Sequence, residues 1–288
     1  MSRIDSSNLR RIAAFSEGQQ GGNPAGVLIT ETQPSEEVMQ EIAAEIGYSE
    51  TAFATQEGNR WRVRYFAPES EVDFCGHATV ALGAALIDLH GPGNFDLRIN
   101  AGDISVSGTL NRDGQKEIQL VSPRTRTKPI DFAALNSALE LFGLDTDDLD
   151  PDLLPVVANA GNDHLVLPLR SQDTLSKMHY DLAQGRELME KQDLTTINLI
   201  FFESPRVIHS RNAFAIGGVA EDPATGAAAA ALAGYLREVE WPHEGQVEII
   251  QGRDMGSPSR LSVGIPPENG SPVTVSGTVR DIELPTSG

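Results

Sequence analysis

At 288 residues the chain is long for one hydrophobic core, and 40% hydrophobic with 22% charged residues is ordinary globular composition. A formal charge of −19 excludes the basic footprint that a phosphate backbone requires, so nucleic acid is not an expected partner and the acidity reads as a solvated surface. A single cysteine, Cys75, rules out an intrachain disulfide and a thiolate metal cluster, and the six histidines lack paired ligand spacing, so no metal is expected.

In chain order, Ile12 to Phe15 and Val27 to Ile29 read as short strands joined by the loop Glu17 to Pro24. A helix starting at Pro34-Ser35-Glu36-Glu37 carries Val38, Ile42, Ala43 and Ile46 on an apolar face and stops at Gly47. Thr51 to Thr55 and Trp61 to Phe66 form a hairpin around Glu57-Gly58-Asn59, with Trp61, Val63 and Tyr65 facing one way. An apolar helix from Ala78 to Leu89 follows, then strands at Phe95 to Ile99, Ile104 to Leu110 and Glu117 to Val121. The basic, proline-bracketed Ser122 to Pro129 reads as a linker. Beyond it lie a helix over Asp131 to Phe142, a strand over Leu165 to Leu169 and a helix near Leu182 to Lys191. Strands at Thr196 to Phe202 and Asn212 to Ile216, an apolar helix from Ala227 to Leu236, and strands at Val247 to Ile250, Arg260 to Ile265 and Val273 to Val279 complete the chain. Met1 to Ser6 lack the apolar core of a secretory signal, and Ala227 to Leu236 is too short to span a bilayer. A cytoplasmic protein with no membrane partner is expected.

One pattern occurs twice. Phe66-Ala67 leads to Cys75-Gly76-His77-Ala78-Thr79 and an apolar run, and Phe214-Ala215 leads to Asp222-Pro223-Ala224-Thr225-Gly226 and another, at an offset of 148. Ser49 to Ala54 falls opposite Ile197 to Phe202 at the same offset, and Gly102 opposite Gly252 at 150. Both apolar helices are hydrophobic nearly all round, as a helix enclosed by a curled sheet must be. The expected fold is therefore α+β: two pseudo-symmetric domains, 1–122 and 123–288, each a curled, mostly antiparallel sheet around a central helix. The last strand can cross back to the first domain, and a small-molecule cleft is expected between the two.

The polar residues that punctuate this pattern are the candidate site. Asp222-Pro223 is a helix-start signal, with Asp222 as N-cap and Pro223 at the first helical position; a capped helix alone explains it. Thr225-Gly226 leaves backbone amides open at the positive end of the helix dipole, and Gly76-His77 does the same in the first half. Two such starts could grip a substrate carboxylate. Glu50, between a helix and an apolar strand, is either an exposed strand-edge residue or a partly buried general acid/base. His77 is either a structural cap or a second proton-transfer group. Cys75 reads as a buried apolar residue, and without a second cysteine two-thiol chemistry is impossible.

Six motifs occur in order: Asn23-Pro24-Ala25-Gly26-Val27, Ser49-Glu50-Thr51-Ala52-Phe53, Arg64-Tyr65-Phe66-Ala67-Pro68, Phe74-Cys75-Gly76-His77-Ala78-Thr79, Glu221-Asp222-Pro223-Ala224-Thr225-Gly226 and Gln251-Gly252-Arg253-Asp254-Met255-Gly256. Together they resemble the phenazine-biosynthesis isomerase-like (PhzF-like) family, of the diaminopimelate-epimerase fold, over roughly residues 10–280. The resemblance implies a cofactor-independent isomerase that moves a proton within a small unsaturated carboxylated substrate, working as a homodimer. It implies that Glu50 shuttles the proton while His77 and Asp222 assist, with Asn23, Gly76, Thr225, Gly226 and Ala227 contacting substrate. Two departures stand out. The phenazine enzyme has a serine where this chain has Ala227, and the common Met-Gly-Arg-Pro-Ser reads Met255-Gly256-Ser257-Pro258-Ser259 here. Both remove a polar contact, so the phenazine substrate, a dihydro-hydroxyanthranilate, is not assigned. Two other readings stay open: a non-catalytic small-molecule-binding or interaction protein on the same fold, and a single-thiol epimerase or racemase using Cys75.

Overall fold

The structure, a computed structural model, describes residues 9–283, so the Met1 to Ser6 stretch read for a secretory signal lies outside the described residues. Its contacts divide the chain into two units, one comprising residues up to Val121 together with those from Ser276 onward, the other Ser122–Val275.

The first unit contains strands β1 (Arg10–Ala14), β2 (Asn23–Thr30), β3 (Glu50–Glu57), β4 (Arg60–Phe66), the two-residue β5 (Glu71–Val72), β6 (Gly93–Ile99), β7 (Gly102–Leu110) and β8 (Lys116–Val121). Helix α1 (Glu36–Ile46) follows β2, and α2 (Gly76–His90) follows β5. β1 and β2 are antiparallel, β2 and β3 parallel, β3 and β4 antiparallel. β4 then pairs with β5 antiparallel and β6 parallel, and β6, β7 and β8 form an antiparallel meander. The last strand among the described residues, β17 (Thr274–Asp281), pairs with both β8 and β1, which closes the ring into a barrel.

Helix α2 fills that barrel. Every residue from Gly76 to Ile87 is buried, and the helix packs on β1, β2, β3, β6, β7 and β8. Glycines set the clearance: a Cβ on Gly108 would lie 1.8 Å from Ile87 Cδ1, and one on Gly83 would lie 2.7 Å from side chains of Val106 and Ile118. Helix α1 sits on the other face of the sheet, where Met39 and Ala43 pack with Leu28, Phe53 and Phe66. Gly47 ends it in the left-handed conformation at φ 68°.

The second unit contains β9 (Arg126–Pro129), β10 (Val156–Asn159), β11 (Asp163–Leu169), β12 (Thr196–Ser204), β13 (Val207–Ala213), the two-residue β14 (Glu221–Asp222), β15 (Gln246–Gln251) and β16 (Ser259–Gly264). β9, β10 and β11 are antiparallel neighbours, β11 and β12 parallel, β12 and β13 antiparallel. β13 pairs with β14 antiparallel and β15 parallel, and β15 with β16 antiparallel. Helices α3 (Phe132–Phe142), α4 (Gln172–Ser176) and α5 (Leu182–Gln192) contribute Ala138, Leu139, Phe142, Leu175, Leu188 and Met189 to a core with Leu165, Leu167, Ile197 and Leu199. On the alternate face, α6 (Gly226–Glu238) is buried from Gly226 to Arg237 against β9, β10, β11 and β16.

Three local expectations are corrected. Ser122 to Pro129 is not all linker, because Arg126–Pro129 is strand β9, in register with Val156–Asn159. The strand expected at Asn212 to Ile216 lies earlier, at Val207–Ala213, and Ala215–Gly217 is a 3₁₀ turn. Asp222 is not the N-cap of α6 and Pro223 is not its first residue: Asp222 ends β14 and Thr225 is the N-cap. No helix among the described residues is long and apolar enough to cross a membrane.

Candidate active site

Glu50 is the first residue of β3, three positions after the Gly47 cap, and pairs with Ala25 of β2. Strand alternation puts Glu50, Ala52 and Ala54 on the face opposite the Phe53 cluster, toward α2. The Glu50 side chain is 10% exposed, and its Oε2 lies 3.4 Å from His77 Nε2. That oxygen is buried and accepts no hydrogen bond. His77, the second residue of α2, also places Nε2 3.3 Å from Ser49 Oγ and Nδ1 3.3 Å from Cys75 Sγ.

Cys75 is buried, yet its thiol is not simply an apolar filler, since it lies against a histidine nitrogen. As N-cap of α2 it makes no side-chain capping bond. Thr79 ties the loop to the barrel core by donating to Cys75 O at 2.7 Å and bonding Tyr65 Oη at 2.6 Å. Burial pushes the fully enclosed Tyr65 phenol up from its usual pKa, so it stays a neutral structural partner.

In the second unit, Asp222 lies opposite Asn212 and accepts a short hydrogen bond from Thr225 Oγ1. Gln251, at the end of β15, clamps the connecting loop: its Nε2 donates to Asp222 O at 2.7 Å and contacts Thr225 Oγ1 at 3.1 Å, while its Oε1 accepts from the Thr225 amide at 3.2 Å. Because the Thr225 hydroxyl is directed to Asp222, it makes no capping bond to α6. Gly226 and Ala227 are the first two residues of that helix, both buried. Gly252 lets the loop approach closely: at φ 75°, a Cβ there would lie 2.3 Å from Ser257 O and 2.7 Å from Pro223 O.

Of the residues expected at the site, Glu50, Gly76 and His77 therefore converge in the first unit, and Asp222, Thr225, Gly226 and Ala227 in the second. Asn23 is buried at the start of β2, two residues before the strand partner of Glu50, and pairs with Ala14. Sequence reasoning missed Gln251 as a clamp, although it opens the Gln251-Gly252 motif. It also missed Asn212, fully buried with neither amide atom hydrogen-bonded, which only a polar residue breaking an otherwise buried strand could have signalled. Arg211, on the other face of β13, donates to both carboxylate oxygens of Glu221 and to the carbonyls of Ser176 and Met178. Burial alone would lower its pKa, and the Glu221 contacts outweigh burial and raise it.

A family model described as phenazine biosynthesis-like protein matches residues 12–280. An uncharacterized isomerase of Bacillus subtilis strain 168 is 30% identical over 260 residues, covering 87% of each chain. The trans-2,3-dihydro-3-hydroxyanthranilate isomerase of Pseudomonas aeruginosa is 31% identical over 253 residues, again covering 87% of each. Among solved structures, a phenazine biosynthesis protein of the PhzF family from Bacillus anthracis superposes with a TM-score of 0.84 at 24% identity over 96% of each chain. A probable proline racemase from Agrobacterium radiobacter shares the fold at a TM-score of 0.67 and 9% identity, over 97% of this chain and 92% of that one.

Proposed function

This chain belongs to the phenazine biosynthesis-like protein family and is an isomerase, and on that premise we propose that it moves a proton within a small unsaturated carboxylated metabolite without a cofactor. Glu50 is the general acid/base. The observation that carries this reading is the Glu50 carboxylate itself: buried, with Oε2 accepting no hydrogen bond, 3.4 Å from an imidazole nitrogen. A buried carboxylate oxygen lacking a donor is costly to keep, and a substrate C–H or the imidazole could use it. In the step proposed, Glu50 takes a proton from one carbon, the electron pair moves through the adjacent double bond, and Glu50 returns the proton to the carbon at its far end. His77 orients the carboxylate and offers a hydrogen bond to charge that develops on substrate oxygen. The start of α2 at Gly76 has no side-chain cap and favours a substrate carboxylate. Asp222, held by Thr225 and Gln251, keeps the assisting role that the family motif implies.

The diaminopimelate-epimerase-like repeat belongs to the same proposal. Its support is that both units run through the same succession of parallel and antiparallel pairings. In both, a two-residue strand precedes the buried helix, and a two-point arginine–glutamate pair, Arg64–Glu71 or Arg211–Glu221, spans it. Within that proposal, and taken with the strand registers, Phe66, opposite Glu71, corresponds to Ala213, opposite Glu221, rather than to Phe214. A homodimer is proposed from the motifs alone, and light scattering in solution reads it; a cytoplasmic location belongs to the same proposal, and cell fractionation reads that.

The second reading, a single-thiol epimerase, is favoured by the 3.3 Å approach of Cys75 Sγ to His77 Nδ1. One experiment separates the two. Trans-2,3-dihydro-3-hydroxyanthranilate and a panel of small unsaturated acids are offered to the wild type, Glu50→Gln and Cys75→Ser. Loss of a general acid/base costs roughly 10²–10⁴-fold in turnover. A loss of that size in Glu50→Gln with turnover kept in Cys75→Ser supports the isomerase reading; the reverse pattern supports the thiol.

A further inference from the structure

The site carries more donor chemistry than a proton shuttle needs. Glu50, Cys75 and His77 each present one ligand atom, all buried and all within 4.8 Å of one another. His77 Nε2 lies 3.4 Å from Glu50 Oε2 and 4.0 Å from Cys75 Sγ. Around a tetrahedral zinc, with Zn–S about 2.3 Å and Zn–N or Zn–O about 2.0–2.2 Å, neighbouring ligand atoms stand roughly 3.3–3.6 Å apart. The nitrogen–oxygen pair already has that separation, and the nitrogen–sulfur pair has to close by only about 0.4 Å. The sulfur–oxygen pair lies within 4.8 Å, and with Cys75 and His77 two residues apart at one helix start and Glu50 on the neighbouring strand, side-chain rotation is the movement that closes the set. Glu50 Oε2 supplies the independent observation, a buried acceptor that no protein donor satisfies.

We infer that Glu50, Cys75 and His77 form a binding site for a thiophilic divalent cation of the zinc class, and that occupancy of this site blocks proton transfer. The donor set decides the class. One thiolate, one imidazole and one carboxylate suit zinc or cobalt(II), whereas magnesium and calcium require oxygen ligands. Thiolate and carboxylate together neutralise the doubly charged cation, which a buried position requires. Binding breaks the Cys75 S–H bond, forms a sulfur–metal bond and releases the proton to solvent, so affinity rises with pH. Ser49 Oγ, now 3.3 Å from His77 Nε2, gives up that contact, and the fourth position is left to water. A bound cation takes Glu50 Oε2, so the inhibitory consequence rests on the isomerase reading while the binding itself does not.

The test uses the full-length reduced protein without substrate, titrated with Zn²⁺ alone by equilibrium dialysis and with Co²⁺ alone by absorption spectroscopy. The expected result is one equivalent of tightly held Zn²⁺ and a near-ultraviolet thiolate-to-cobalt charge-transfer band in the wild type. Cys75→Ser abolishes the band and weakens Zn²⁺ binding roughly tenfold or more, because it removes the soft ligand. Glu50→Gln and His77→Asn weaken binding and keep the band, whereas His179→Asn, at an exposed histidine, changes neither. A wild type without stoichiometric Zn²⁺ or without the band overturns the proposal, as does equal Zn²⁺ binding by Cys75→Ser. Turnover of Glu50→Gln measured in the presence of a chelator tests the isomerase reading separately, so each can fail alone.

Discussion

His164 offers the sharpest quantitative test of how the second unit is held together. It lies on β11 with no exposed surface, Nδ1 is 2.7 Å from Thr196 Oγ1, and Nε2 is buried without a hydrogen-bond partner. Burial pushes its pKa down from 6.5 to about 4, with the nearby Asp163 opposing. The folded protein thus holds His164 neutral through a range in which the unfolded chain takes up a proton. The stability tied to this neutrality is complete above pH 6.5 and is lost as pH falls toward about 4. At about 1.4 kcal/mol per pH unit, the whole effect is roughly 3 kcal/mol, of which about 2 kcal/mol disappears between pH ~7.5 and pH ~5. His164→Asn keeps a polar group toward Thr196 but does not titrate. Urea unfolding of both proteins across that interval reads the difference in slope, whatever the substitution costs at neutral pH. The wild type should lose about 2 kcal/mol more than the variant. Parallel pH dependences would show that water reaches His164 or that it is already protonated when folded.

Gly252→Ala places a methyl group against two backbone carbonyls at a left-handed φ of 75°, so it should lower the melting temperature and, by loosening the Asp222–Thr225 loop, lower turnover too. An unchanged melt would contradict the close approach. Gly108→Ala should cost about 1–3 kcal/mol by overpacking the barrel against Ile87, and adding Ile87→Ala should recover part of the loss in a double-mutant cycle, since Ile87 supplies the nearest atoms. Additive costs would mean that the helix shifts instead. Ala227→Ser puts a hydroxyl at the second position of α6. It should improve turnover of trans-2,3-dihydro-3-hydroxyanthranilate by roughly tenfold, the worth of one hydrogen bond to a charged group. No change would place that position away from the substrate.

The elements legible in the sequence were those whose burial leaves an imprint on side-chain pattern. Helices α2 and α6 read as enclosed because they are apolar all round, and the β3–β4 hairpin because Trp61, Val63 and Tyr65 alternate with Arg62 and Arg64. Strand β9 was lost because a basic, proline-containing segment has the composition of a linker, while what makes it a strand is tertiary: its pairing with β10 and the ion pairs of Lys128 and Arg126 with Asp163. Strand β13 was misplaced because its polar residues are satisfied by tertiary partners that sequence does not reveal: His209 by Glu203, Ser210 by Asn198 and Arg211 by Glu221. Asp222-Pro223 imitated a helix cap because aspartate before proline is what a cap requires, while the Thr225–Gln251 network moves the helix start three residues on. Glu50 and His77 were readable as a pair only through the family motifs. Their proximity comes from the barrel, which sets the β3 interior face against the start of α2.

Proton transfer by Glu50 is the central claim, and deuterium incorporation tests it most directly. The wild type, Glu50→Asp and Glu50→Gln, each freed of metal with a chelator, are incubated in deuterated water with trans-2,3-dihydro-3-hydroxyanthranilate and with small unsaturated acids, and label is followed by NMR. Deuterium is expected at a single migrating position with wild type, with slower labelling by Glu50→Asp and a loss of roughly 10²-fold or more with Glu50→Gln. Labelling at the wild-type rate by Glu50→Gln would contradict that claim.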